Sequence, residues 1–294
     1  PSQQENIDSE FKLSPEQVSR LSELGDNVDL SASFESGREL DEKGNPIDGE
    51  VVWIKVEVDG REVEGELFLP EKANDTGELV IMNPGVPGGG VDWMNGRYAT
   101  ALVKDGYTVF STRHNGTKLN ADLSAGYVDC PKKQDWAKVK DQDHLGDKFS
   151  FDSWGHEVET AIVGLQEKFG SVHLVGHSMG VNNIFSALEH LSKSHPELTE
   201  KISRVVSLSG SIGKIRENGD FDDDGVLTGE RFKGYLGDIE KGGIHDSIPV
   251  DDNMSQLKAN SDRIYGGDWK PYSHIEAYFL TPDTFLGGEA DEYI

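Results

Sequence analysis

"SVHLVGHSMGVNNIF", residues 171–185, reads as a short apolar strand, a sharp turn around a serine, and the start of a helix. Val172, Leu174 and Val175 form a strand-sized aliphatic run, and the run ends at Gly176. From Val181 onward the apolar residues Val181, Ile184, Phe185, Leu188 and Leu191 recur at helical spacing on one face. Between the two elements stands Gly176-His177-Ser178-Met179-Gly180, a G-x-S-x-G pattern. The bare pattern is weakly specific. Between a strand and a helix it gains a physical meaning, because the strained turn lifts the serine hydroxyl above the edge of a sheet. Side chains at 176 and 180 would collide with the neighbouring strand and helix, so glycine is required at both. Ser178 is therefore the candidate nucleophile.

Working outward, "VVWIKVEVDGREVEGELFLP" (51–70) alternates apolar and polar residues on both sides of Asp59-Gly60, which predicts a β-hairpin. "ELVIMNPG" (78–85), "YTVFSTR" (107–113), "VHLVG" (172–176) and "RVVSLSG" (204–210) are short apolar runs that end in glycine or polar residues, as buried parallel strands do. Helical periods lie between them. One covers 93–106 and stops at Gly106. One covers 152–170, with Val158, Ile162, Leu165 and Phe169 on one face. One covers 181–193. A hairpin followed by strand–helix alternation predicts an α/β fold: a mostly parallel sheet with helices on both faces. Upstream, residues 1–50 are polar and acidic. "SPEQVSRLSEL" (14–24) predicts one short helix, with Ser14 as cap, Pro15 at the first position and Val18, Leu21 and Leu24 on one face.

The bulk composition narrows the function. The 294 residues carry 54 acidic and 28 basic side chains, a net charge of −26. A surface so negative repels nucleic acid and anionic lipid. No apolar run approaches the ~18 residues of a membrane span. The one cysteine, Cys130, excludes an intrachain disulfide. It also excludes a thiolate metal cluster, and no H-E-x-x-H motif is present.

Four segments, in order, make the chain resemble the α/β-hydrolase superfamily from about residue 51 to residue 294. They are "VIMNPGVPGGG", "VFSTRHNGT", the elbow "GHSMG" and the late "LGGEADEYI". The resemblance implies a hydrolase core over 51–210 and an acidic extension over 1–50. It also implies a cap or lid insertion after the sixth strand over 211–273, and a return to the core over 274–294. It implies oxyanion donors at the backbone N–H of Met179, after the nucleophile, and in the turn after the "ELVIM" strand. There Pro84-Gly85-Val86 replaces the family's His-Gly-X. Pro87 has no N–H, which leaves Val86 as the donor. The family's acid follows a late strand. Thr284, Phe285 and Leu286 supply the strand, Gly287 and Gly288 open the turn, and Asp291 takes the acid position, with Ile294 three residues on. Glu289 is the fallback. In relatives with the acid one strand earlier, Asp220, Asp222 or Asp224 would compete.

The base should follow the acid in chain order. The sequence ends three residues after Asp291, so the resemblance places the histidine beyond residue 294 and the 294 residues as a fragment. His245 and His274 are the fallbacks, in the reverse order. His177 sits beside the nucleophile and points away from it. His173 reads as a core histidine.

"NGDFDDDGVLTGERF" (218–232) carries a second pattern. Asp220, Asp222, Asp224 and Gly225 stand at positions 1, 3, 5 and 6 of a calcium loop, and Val226 would offer its carbonyl from position 7. Alternating carboxylates on a tight glycine turn converge the six to eight oxygens that Ca²⁺ takes. The bidentate acid departs from the pattern: position 12 is Arg231, and Glu230 is one place early. Calcium here would be structural, since no cofactor is needed for the chemistry. It would point to an extracellular or periplasmic setting, where the ion is available. The expected activity is cleavage of an ester or amide of a small-molecule or short-peptide substrate through an acyl-enzyme. A serine peptidase or aminopeptidase of the same fold is the first alternative. A catalytically silent, calcium-dependent binding protein is the second.

Overall fold

The computed structural model describes residues 12–35, 47–85, 93–114, 150–178, 180–208, 255–256, 259, 274–280 and 292–293. The chain opens with helix α1 (Pro15–Ser22), held by a reciprocal capping box. The Ser14 hydroxyl accepts from the Gln17 N–H at 3.1 Å, and the Gln17 side chain accepts from the Ser14 N–H at 2.8 Å. Leu21 and Leu24 enter the core as expected, whereas Val18 is 38% exposed. Gln17 and Arg20 are buried in its stead. The Arg20 guanidinium donates to the Pro70 carbonyl at 2.8 Å, so a long-range hydrogen bond rotates the helix away from its purely apolar face.

Strand β1 (Phe34–Glu35) pairs antiparallel with β2 (Glu50–Val58), Phe34 opposite Trp53. A single bridge from Val28 to Val56 adds to this border. Strands β2 and β3 (Arg61–Leu69) form the expected hairpin. Its two loop residues both have positive φ, 52° at Asp59 and 78° at Gly60, the mirror-image turn that matches strand twist.

After β4 (Glu78–Asn83) comes helix α2 (Trp93–Lys104), which ends where Gly106 takes a φ of 93°. Then follow β5 (Thr108–Arg113), α3 (Phe151–Leu165), β6 (Ser171–His177) and α4 (Gly180–Ser194). The short α5 (Pro196–Thr199), β7 (Ile202–Leu208), β8 (Glu276–Leu280) and β9 (Glu292–Tyr293) complete the described elements. None of the described helices is long and apolar enough to cross a membrane.

All nine strands join one sheet in the order β1-β2-β3-β5-β4-β6-β7-β8-β9. The five from β5 to β8 are parallel, and the others pair antiparallel. This is the mostly parallel α/β sheet with helices on both faces that the sequence predicts. The aliphatic runs are apolar on both faces because both are covered. Leu79 and Ile81 pack with Val158, Ile162, Val181 and Ile184 of α3 and α4. Val80 and Met82 pack with Ala99 and Val103 of α2 on the other side. Alternation along one strand thus feeds two cores.

Candidate active site

The Gly-x-Ser-x-Gly turn is built by three neighbouring strands. Strand β6 delivers Ser178 at its carboxyl end, and α4 starts two residues later. Ser178 has a φ of 53°, in the left-handed region that a β-carbon disfavours. Such a conformation costs about 1–2 kcal/mol and persists only where the surroundings over-determine it. Here they do. The Ser178 N–H donates to the Leu208 carbonyl at the end of β7 at 2.9 Å, and the Ser178 carbonyl accepts from the Val181 N–H at 3.3 Å as the helix begins.

The two pattern glycines are required by close approach. A β-carbon on Gly176 would stand 2.7 Å from the Val181 Cα. One on Gly180 would stand 2.5 Å and 2.6 Å from the carbonyl oxygens of Asn83 and Pro84. Gly85, in the turn after β4, completes the arrangement, for its β-carbon would come within 2.9 Å of the Ser178 Cβ. The turn expected to supply an oxyanion donor is therefore in contact with the serine. Beneath it, the Thr112 hydroxyl lies 3.1 Å from the Met82 carbonyl and 3.2 Å from Asn83 Oδ1, all buried. This fixes β4 against β5 directly under the turn.

A buried polar group at the same sheet edge is not apparent from the sequence. His114, the residue after β5, is fully buried. Its Nδ1 lies 2.6 Å from a Glu157 carboxylate oxygen on α3, and its Nε2 lies 3.4 Å from the Asn183 amide nitrogen on α4. Its ring stacks on Trp154 at 4.4 Å and 8°. A carboxylate can only accept from Nδ1, so the ring is anchored to Glu157 through that nitrogen while Nε2 faces the Asn183 side-chain amide. The only trace in the sequence is a histidine at a strand end. Its partners lie 43 and 69 residues away and meet only through helix packing.

His274 precedes β8, and its Nε2 lies 2.8 Å from the Thr199 carbonyl, just before β7. Strand entrances and exits lie on opposite edges of a parallel sheet, so His274 is about 20 Å of strand from the Ser178 edge. It does not serve Ser178, although its place in the sequence makes it a candidate base. His173 lies in β6, with Nε2 3.8 Å from a Glu78 carboxylate oxygen. Burial pushes its pKa below the usual imidazole range, the Glu78 charge pulls the other way, and Arg204 adds to the fall. His156 and His190 face each other across α3 and α4. His195 is near Glu197 at 3.6 Å. Among the described residues no histidine hydrogen-bonds the Ser178 hydroxyl. His144 and His245 lie outside the described residues, as do Val86, Met179, Glu289, Asp291, Ile294 and the strand expected at 284–286. The calcium-loop residues Asp220, Asp222, Asp224, Val226 and Glu230 also lie outside. At the far end of the sheet, Glu292 pairs with Leu280, the last residue of β8, at the edge where Ser178 emerges from β6.

No family model matches the chain, and no curated protein matches it. Among solved structures it is similar to the alpha/beta hydrolase GrgF from Penicillium sp. sh18, at 12% identity and a TM-score of 0.44, covering 81% of this chain and 93% of that one. It is similar to brefeldin A esterase, a bacterial homologue of human hormone sensitive lipase, at 17% identity and a TM-score of 0.42, covering 84% of this chain and 63% of that one. A soluble variant of monoglyceride lipase from Saccharomyces cerevisiae matches at 13% identity and a TM-score of 0.42, covering 76% and 74%.

Proposed function

We propose that this chain is a serine hydrolase that cleaves a carboxylic ester through an acyl-enzyme. The observation that carries the reading is the backbone of Ser178: a left-handed, non-glycine residue at a strand-to-helix junction, with Gly85 close against it and glycine required on either side at 176 and 180. Strain at a solvent-reachable serine has no packing purpose. It has a chemical one, because it aims the hydroxyl out of the sheet edge.

In the proposed reaction the Ser178 oxygen attacks the ester carbonyl and its proton passes to a base. The bond to the alcohol then breaks with the alcohol taking the proton, and water later releases the acid. The N–H groups of Met179 and Val86 receive the developing oxyanion, each worth about 10²–10³ in rate. Asp291 is the acid that orients the base. The pairing of Glu292 with Leu280 supports it, because it brings the chain next to Asp291 to the carboxyl edge of β8. Asp283 is the rival, since it is the first carboxylate after Leu280 in the chain. The acidic loop completes the proposal, with Asp220, Asp222, Asp224, the Val226 carbonyl and Glu230 holding a structural Ca²⁺.

The test is labelling with a fluorophosphonate, followed by peptide mapping. A serine hydrolase labels at Ser178 and loses the label in Ser178→Ala. Absence of labelling in the complete, folded protein supplied with calcium would overturn the reading in favour of a silent binding protein. A panel of acyl esters against aminoacyl amides then separates esterase from peptidase.

A further inference from the structure

We propose that Asp152, His156 and His190 form a site for a zinc-class divalent cation that clamps α3 to α4. One potential ligand atom from each of the three residues lies within 4.8 Å of the other two. Asp152 and His156 are four residues apart, hence on the same face of α3. His190 comes from the facing helix. The helices approach closely because Gly155 has no side chain: a β-carbon there would meet the Ser186 Cβ at 2.5 Å.

Each ligand is prepared in a different way. His156 Nδ1 lies 2.8 Å from a Glu159 carboxylate oxygen, and the Ser194 hydroxyl donates to that same carboxylate. With Glu159 and Arg61 both on the Nδ1 side of the ring, Nε2 is the atom left to face a cation. His190 Nε2 is buried and has no hydrogen-bond partner among the described residues, although an Asp152 oxygen stands 3.2 Å away. A buried ring nitrogen beside a carboxylate without a hydrogen bond is a poor use of both groups and a good start for coordination.

Two nitrogens and one carboxylate suit Zn²⁺, with a water in the fourth place, and do not suit Ca²⁺, which takes six to eight oxygens. Loading requires movement. The rings of His156 and His190 now stack at 3.7 Å and 10°, whereas a bound cation lies in the plane of each imidazole. The rings must splay, and the ligand atoms must close to the ~3.3 Å spacing of a tetrahedral shell with bonds of about 2.0–2.1 Å. Asp152 is exposed and His156 half-buried, so both have room to turn. Arg61 stands 2.9 Å from His156 Nδ1 and 3.2 Å from Glu159, a cation that opposes loading.

The experiment is calorimetric titration of the chelator-treated full chain with Zn²⁺, in millimolar Ca²⁺ so that the acidic loop is already supplied. One saturable Zn²⁺ per chain is expected. Asp152→Asn and His190→Ala should weaken it at least ~100-fold, and Glu159→Gln about 10–100-fold. Arg61→Gln should tighten it. Circular dichroism checks the fold of each variant. If His190→Ala does not fold, Asp152→Asn decides, because its side chain is exposed. No saturable binding, or binding unchanged by Asp152→Asn, overturns the proposal and assigns any Zn²⁺ to adventitious capture by the acidic surface.

Discussion

Gly85 and Ser178 touch across the mouth of the sheet so closely that a single methyl group on Gly85 would stand 2.9 Å from the Ser178 Cβ. Real β-carbons do not sit at that distance, so Gly85→Ala must push the turn after β4 away from the serine. If that turn carries an oxyanion donor, kcat should fall about 10²–10³-fold with little change in KM. Steady-state kinetics of Gly85→Ala checks this. An unchanged kcat would remove the turn from the chemistry.

The left-handed backbone of Ser178 sets activity against stability. Ser178→Gly relieves the conflict at φ 53° but adds glycine's own entropy cost, leaving a net stabilisation of roughly 0.5–1 kcal/mol. Denaturant unfolding should show this gain in a protein with no hydrolytic turnover. A destabilised Ser178→Gly would mean that the strain is balanced by contacts of the side chain itself.

The two candidate acids can be separated by isosteric change. Asp291→Asn should lower kcat about 10⁴-fold if Asp291 orients the base, and Asp283→Asn should then be nearly silent. The reverse result would transfer the role to Asp283.

A calcium prediction rests on the acidic loop. Adding Ca²⁺ to chelated protein should raise the melting temperature with concentration, as mass action requires, and Asp222→Ala should abolish the rise. Identical melts with millimolar Ca²⁺ and with chelator would dispose of that site.

Stability should fall as the medium is acidified from about pH 7 to pH 5, and His173 should account for part of the fall. Its folded pKa is lowered by burial, with Arg204 adding to the fall and Glu78 opposing it. The unfolded ring titrates near 6.5, so below that the unfolded chain binds more protons than the folded one. The contribution is whole above about 6.5 and is lost as pH falls through the lower folded value. His173→Phe should flatten the slope of unfolding free energy against pH in this window. An unchanged slope would clear His173.

Much of this was legible in the residues, for local reasons. Asp59-Gly60 sets the hairpin because both positions need positive φ. The aliphatic runs around Ile81 and Leu174 are strands because both their sides are buried. Gly176 and Gly180 mark the turn because a neighbour's backbone occupies the place of a side chain. What escaped depends on distant partners. Val18 has the right spacing to be buried, yet Arg20 takes the inner position through a carbonyl 50 residues away. His114 looks like any strand-end histidine until Glu157, Trp154 and Asn183 close around it. His274 looks as available as any late histidine, and only the parallel direction of β8 shows that it belongs to the other edge.

Among the described residues the sheet is bordered by β1 on one side and β9 on the other, each described over two residues. An exposed long strand offers its unpaired amides to any passing chain and is a template for aggregation. The shield on the hairpin side is slight, two pairs at Phe34 and Glu35 and one bridge at Val28. Cutting away residues 12–35 would lay bare the nine residues of β2, and the same sheet that orders the fold would then recruit its neighbours into insoluble ribbons.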